Sequence, residues 1–329
     1  MKEVHNLDKY KVASLFAGVG GIELGFELTN RFKTVFANEI DKKAAITYQT
    51  NFKNKLLVED IRNVTPDMIP KIDVLTAGFP CTSFSIAGYR KGFEDENTGD
   101  LFFETLRLIV AKKPQVVFLE NVKNLVSHDK GNTFKIIRES LEENGYHIKY
   151  KVLNASEYGN IPQNRERIYI VGFKNIEYYK NFEFPAPVDL KKKLKDVIDF
   201  TNLVDERYYY TPEKYNIYDE LNKNIVKDTT IYQWRRKYVR ENKSSLSPTL
   251  TANMGTGGHN VPLILSKHGI RKLTNRECFN LQGYPISYKL PEELAAGNLY
   301  KQAGNSVVVT VIEKIAINIY KALNDEVCL

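Results

Sequence analysis

The stretch that decides the fold is "KVASLFAGVGGIELGFELTNRFKTVFANEI", residues 11–40. "KVASLFAG" reads as a strand running into glycines, "GIELGFELTNRF" as a helix, and "KTVFANEID" as a second strand carrying Glu39 at its end. The alternation continues outward from there. "AAITYQTNF" (44–52) has a helical period and "KLLVEDI" (55–61) is a strand. "DVLTAGFP" (73–80), a helix over "LFFETLRLIVAKK" (101–113) and "QVVFLENV" (115–122) repeat the unit. A helix over 134–144 precedes the strands "HIKYKVLNA" (147–155) and "RIYIVGF" (167–173). Short apolar runs alternating with helical segments imply parallel β-α-β units, hence an α/β fold with a doubly wound sheet and helices on both faces.

The character changes after "FEFPAPVDL" (182–190), where two prolines mark a break. "KKKLKDVIDF" (191–200) reads as a basic amphipathic stretch with a solvated helix face, and residues 201–267 are irregular and rich in Tyr and Asn. "PTLTANMGTGGHNVPLIL" (248–265) has strand-like pieces around a glycine-rich turn, which suits a second domain of short strands and loops. "SVVVTVIEKIAINIYKAL" (306–323) returns to a strong helical period and is expected to pack back on the first domain. A chain of 329 residues exceeds the ~250–300 at which a single core stops growing, so one full domain and a smaller one are expected.

Composition excludes several classes. With 43% hydrophobic and 26% charged residues the chain is an ordinary globular protein, and it has neither an apolar run of about 20 residues nor a signal peptide. The expectation is a soluble, cytoplasmic protein. The three cysteines, Cys81, Cys278 and Cys328, are too few and scattered for a disulfide framework or a zinc site, so no metal is expected. The net charge of +7, from 47 Lys+Arg against 40 Asp+Glu, permits a polyanionic partner without requiring one.

In an open parallel sheet, ligands bind beyond the carboxyl ends of the strands. The glycine turn "FAGVGG" (16–21) lets backbone amides approach a ligand, but Gly18 and Gly20 are followed by Gly21 rather than by a third glycine in the dinucleotide register. Glu39 can accept ribose hydroxyls and Asp60 an adenine amino group, although either could be a helix cap or a surface charge. Together they describe an adenosine-bearing cofactor. Cys81, directly after Pro80, and Glu120 belong to the same rim. "PQNRER" places Gln163, Arg165 and Arg167 at alternating positions, so both arginines share a face; they could hold a ligand or pair structurally with Glu120 and Glu166.

These motifs, in this order, resemble the DNA cytosine-5 methyltransferases over most of the chain. "FAGVGG" looks like the cofactor loop, "GFPCTSFS" (78–85) like the nucleophile loop, "ENVKN" (120–124) like the catalytic glutamate motif, "QNRER" like the arginine motif and "GNSV" (304–307) like the C-terminal motif. The resemblance implies a Rossmann-like S-adenosylmethionine-dependent methyltransferase sheet over residues 1–185, completed by about 295–329. It further implies a smaller, irregular, β-rich DNA-recognition domain over 186–294. Phe16, Gly18, Gly20, Gly21, Glu39, Ile40, Asp60, Ile61, Asn305 and Ser306 would surround S-adenosyl-L-methionine, which leaves as S-adenosyl-L-homocysteine. Cys81 would be the nucleophile, Glu120 would hold the base, and Arg165, with Gln163 and Arg167 in the same motif, would help fix base and carboxylate. One departure stands out: "YGNIPQNRER" (158–167) carries an additional residue, Asn160, where the family often has one fewer.

The segment "SFSIAGYRKGFEDENTGD" (83–100) would close over a flipped base, with Ser85 on it and Ile86 or Ala87 filling the gap. "QWRRKYVRENK" (233–243) interleaves aromatics with Arg235, Arg236, Lys237, Arg240 and Lys243, and with Tyr238 it is expected to contact DNA rather than form a solvated strand face. Thr249 and Leu250 match the characteristic pair of the family's recognition region, and the resemblance implies that both contact DNA. The implied activity is methylation of carbon 5 of cytosine in a short specific duplex sequence by a monomeric modification enzyme of a restriction-modification system. A transfer-RNA cytosine methyltransferase and a catalytically inactive DNA-binding regulator are the competing readings; a nicotinamide oxidoreductase is disfavoured by the glycine spacing.

Overall fold

The computed structural model describes residues 9–80, 101–255 and 260–325. The first half of the chain runs β1 (Tyr10–Leu15), α1 (Gly21–Leu28), β2 (Phe32–Glu39), α2 (Lys42–Asn51), β3 (Lys55–Val58) and β4 (Val74–Ala77). It continues through α3 (Leu101–Lys112), β5 (Val116–Val122), α4 (Asn132–Glu143), β6 (His147–Asn154), a single helical turn α5 (Ala155–Tyr158) and β7 (Glu166–Phe173). These strands form one seven-stranded sheet in the order β3-β2-β1-β4-β5-β7-β6. The chain winds outward from β1 to β3, returns to β4 beside β1, and winds outward the other way. The strand order therefore reverses at the β1–β4 boundary, where such sheets bind ligands.

The parallel expectation holds for β3, β2, β1, β4 and β5 but not for β7, which is antiparallel to both β5 and β6. The connection between β6 and β7 carries one four-residue helical turn, too little for the crossover that a parallel partner needs. The chain reverses instead and β7 fills the slot between β5 and β6. This has a direct consequence for the site. The amino-terminal end of β7 lies beside the carboxyl end of β5, with Val122 opposite Arg167 and Glu120 opposite Tyr169.

Apolar side chains cover the sheet on both faces. Phe26, Phe32, Phe118, Ile312, Ile315 and Ile319 belong to one buried cluster, which joins α1 to the C-terminal helix α10 (Val309–Leu323, numbered in chain order). Leu75, Leu106, Ile109, Leu119 and Ile137 pack beneath α3 and α4 on the other.

The remaining elements are α6 (Ile176–Asn181), α7 (Tyr218–Asn224), β8 (Tyr232–Trp234), β9 (Val239–Glu241), β10 (Pro262–Ser266), β11 (Gly269–Lys272), α8 (Asn275–Leu281) and α9 (Ala296–Asn305). The four strands make a small antiparallel sheet, β11-β10-β8-β9, closed against α7 by Leu221, Ile225, Tyr232, Leu263 and Ile270. A further cluster joins Tyr48 of α2 to Leu250, Met254, Phe279 and Tyr288. The stretch 191–200 is not a solvated helix: it holds one short 3₁₀ turn, Leu194–Asp196, and Leu194, Val197 and Ile198 are buried in that same cluster. Arg271, fully buried, forms a bidentate pair with Glu277 at 2.8 Å through each of its two terminal nitrogens, and Glu277 closes a capping box with Thr274 at the start of α8.

Candidate active site

Beyond Leu15 the chain turns sharply through the glycine loop. Phe16 has φ 54°, Gly18 φ 56° and Gly20 φ 82° as the N-cap of α1. A left-handed phenylalanine is a strained conformation of the kind that clusters at ligand sites. Gly20 has a second constraint, because a Cβ there would lie 2.2 Å from the ring of Phe52. Glu39 locks the loop to the end of β2. Its Oε2 accepts the Gly18 amide at 2.7 Å and its Oε1 the Asp41 amide at 2.7 Å. Burial raises the Glu39 pKa, and these amide bonds oppose the shift. Under the loop Glu23 is also buried, at 1% exposure, and burial pushes its carboxyl up to about 8.

The loop opens on a cavity of about 500 Å³, within the ~300–1,000 Å³ usual for small-ligand sites. Of the expected cofactor residues, Phe16, Gly18, Gly21, Glu39, Ile40, Asp60, Ile61, Asn305 and Ser306 line it, while Gly20 stands behind the wall. Ile40 is 60% exposed and offers an apolar rim, whereas Ile61 is almost wholly buried. Asp60 also caps a 3₁₀ turn and pairs with Arg62 at 2.9 Å. Lys301 on α9 lines the cavity and bridges to Asp41 at 2.9 Å. Pro80, which precedes Cys81 in the chain, lines it too; Cys81, Ser85, Ile86 and Ala87 lie outside the described residues.

On the opposite wall Glu120 is 9% exposed and Arg167 Nε lies 3.2 Å from its Oε1. Burial raises the Glu120 pKa against the pull of Arg167 and Arg165. The structural pairing weighed for these arginines is therefore half present. Arg167 pairs with Glu120 and donates to the Glu166 carbonyl, while the Glu166 side chain pairs with Lys123. Arg165 also lines the cavity, but its Nη1 donates to the Leu250 carbonyl at 2.8 Å and its Nη2 to the carbonyls of Gly304, at 3.1 Å, and Ser306.

Gln163 does not line the cavity. It is fully buried, donating to the Leu281 carbonyl and accepting the Leu250 amide. Its place is in the frame behind the arginines. Asn121 is a residue the sequence reading passed over. Its side chain donates to the Phe79 carbonyl at 2.8 Å and so fixes the backbone that leads into Pro80. The glutamate motif supplied the signal, since an amide next to the glutamate at a strand end points to the neighbouring strand. The additional Asn160 adopts φ 50° and accepts the amides of Lys191 and Lys192, a local tie that leaves the arginine strand in register.

The basic run 233–243 folds as a hairpin. Trp234 pairs with Val239, and Arg235, Arg236, Lys237 and Tyr238 form the tip, with Arg236 at φ 69°. Arg236, Lys237, Tyr238 and Arg240 are exposed. Thr249 and Leu250 are placed differently. The Thr249 hydroxyl donates to the Asn164 carbonyl, and Leu250, 2% exposed, packs in the cluster beneath α8. A side chain so buried presents no surface to DNA, which corrects the expected contact for Leu250.

Residues 10–321 match the family of C-5 cytosine-specific DNA methylases. The chain is 70% identical over 313 residues to the type II methyltransferase M.Bsp6I of Bacillus sp. (strain RFL6), covering 95% of this chain and 99% of that protein. It is 40% identical to M.HhaI of Haemophilus parahaemolyticus, covering 94% of each. Among solved structures, the Entamoeba histolytica methyltransferase EhMeth superposes with a TM-score of 0.72 at 18% identity, covering 96% of this chain and 99% of that one, a likeness of fold. Sequence, sheet topology and rim residues converge: the chain belongs to the C-5 cytosine-specific DNA methylases and is a DNA (cytosine-5-)-methyltransferase of the restriction-modification type.

Proposed function

We propose that this chain methylates carbon 5 of one cytosine within a short, specific duplex sequence, with Cys81 as nucleophile and the base flipped out of the helix. The observation that carries the reading is the convergence on one cavity of Glu39, the Glu120–Arg167 pair, the Asn305–Ser306 edge and Pro80, next to Cys81. The cavity's donor set suits S-adenosyl-L-methionine. A carboxylate has about four acceptor sites, and Glu39 fills two with backbone amides, leaving two for ribose hydroxyls. The amides at the start of α1 suit a carboxylate, and Ile40 suits an adenine face. The cofactor supplies an electrophilic methyl group and leaves as S-adenosyl-L-homocysteine.

The chain's own groups do the rest. The Cys81 thiolate bonds to carbon 6 of cytosine, which makes carbon 5 nucleophilic. Glu120, whose pKa burial raises, shares a proton with the ring as negative charge develops at nitrogen 3, and Arg167 orients that carboxyl. After methylation solvent water takes the proton on carbon 5, the released electron pair re-forms the carbon 5–carbon 6 double bond, and the carbon–sulfur bond breaks with its pair on sulfur, restoring the thiolate. The base is reachable once unstacked, at a cost of a few kcal/mol. The hairpin tip 235–238 with Arg240 is the duplex-facing element, in a recognition domain spanning 186–294. Among the described residues no helix is long and apolar enough to cross a membrane; that the enzyme acts as a monomer on DNA in a bacterial cytosol is part of the same proposal.

Expression with a plasmid followed by bisulfite sequencing tests the reading: methylcytosine at one recurring sequence is expected, and none with Cys81→Ala. Methylation persisting in that variant, or transfer to tRNA equal to that on DNA, would overturn it.

A further inference from the structure

Three distant parts of the chain meet on one side chain. Arg165, 2% exposed, bonds at once to the Leu250 carbonyl and to the Gly304 and Ser306 carbonyls. The contact between the two acceptor segments is as tight as backbone allows: a Cβ on Gly304 would lie 2.2 Å from the carbonyl carbon of Thr251. The strand side is woven into the same seam. The Asn164 amide donates to Ser247, the Ser247 amide to Pro162, and Gln163 accepts the Leu250 amide.

The two acceptor segments belong to different parts of the molecule. Ser306 lines the cavity beside Asn305. The segment ending at Leu250 belongs to the chain that follows the basic hairpin, and Arg167, two residues along the strand, holds Glu120. A guanidinium can satisfy both segments because its donors form a rigid planar fork; an ammonium is a single compact charge on a flexible stem.

We propose that Arg165 is a positioning residue that couples the two ligands, because the recognition segment and the Gly304–Ser306 edge are held by the same guanidinium. The proposal rests on reading that edge as the cofactor side. Ordering either segment by its ligand fixes Arg165 and so orders the other, and linkage requires the effect to be reciprocal.

The test titrates S-adenosyl-L-homocysteine into the full chain by calorimetry, with and without a short duplex carrying the cytosine mapped by bisulfite sequencing, at fixed salt. The wild type is expected to bind the cofactor product on the order of tenfold more tightly with the duplex, and the duplex more tightly by the same factor with the product. Arg165→Lys should bring that factor below about twofold, a change that a general loss of stability does not produce. A wild-type factor of one, or an undiminished factor in a folded Arg165→Lys, overturns the proposal. Should that variant fail to fold, hydrogen exchange on the wild type decides. The product alone should slow exchange across residues 247–251, and unchanged exchange overturns the coupling. A wild type that binds no S-adenosyl-L-homocysteine overturns the cofactor reading itself, and the coupling with it.

Discussion

Arg165 and the tip of the β8–β9 hairpin carry the same kind of charge in opposite surroundings. Arg165 is buried, and its two terminal nitrogens are committed to three backbone carbonyls. Arg236, Lys237 and Arg240 stand in solvent on an antiparallel hairpin. The first arrangement fixes the frame of a site; the second leaves charge available to a polyanion. Residue type alone does not separate these roles. What separates them is how much of each cation's hydrogen-bonding capacity the fold has already used.

The sharpest way to break this contrast is Arg165→Ala. It leaves buried carbonyls without donors, and unfolding in urea should show a loss of about 3–5 kcal/mol. A stability within about 0.5 kcal/mol of wild type would mean that the junction tolerates its absence. Next in size is a buried group of opposite sign. Glu23 holds its proton in the folded state up to about pH 8 and releases it when unfolded near the ordinary value of 4.5. The folded state therefore binds the extra proton, and stability falls as pH rises from about 4.5 to 8. Glu23→Gln should remove that dependence, gaining on the order of 2–4 kcal/mol at pH 8 and little near pH 4. Parallel stability–pH curves for the two proteins would refute the assignment.

At the hairpin the effects should be smaller and of another kind. Arg236→Ala is expected to leave the melting temperature unchanged while weakening duplex binding and lowering the slope of log affinity against log salt by about one. An unchanged slope would place that side chain away from phosphates. Smallest of all, Lys301→Met should weaken S-adenosyl-L-homocysteine binding by at most about fivefold, because its bridge to Asp41 is half exposed. The difference should vanish at high salt.

Much of this was legible in the sequence. The glycine turn, the strand ends bearing Glu39 and Glu120, and the helix of 309–323 follow from periodicity and turn residues. Strand direction does not, because an apolar run reads the same in either sense. The antiparallel β7 came from the shortness of its connection to β6, a property of packing. Alternation put Arg165 and Arg167 on one face but could not tell which would meet Glu120. That choice depends on carbonyls 85 and 139 residues away in sequence. Leu250 illustrates the same limit, since a motif position near a recognition loop says nothing of burial.

The seam around Gly304 also bears on how the protein comes into being. Residues 10–173 contain all seven strands of the large sheet and most of the cavity wall, yet two of the three acceptors for Arg165 come from Gly304 and Ser306. Chains emerge from the ribosome at roughly 5–20 residues per second, amino terminus first. For the whole time between the synthesis of Arg165 and that of Ser306, the nascent chain lacks the edge that finishes its cavity. The cavity is complete only after residues 304–307 have been made and α10 has docked on α1.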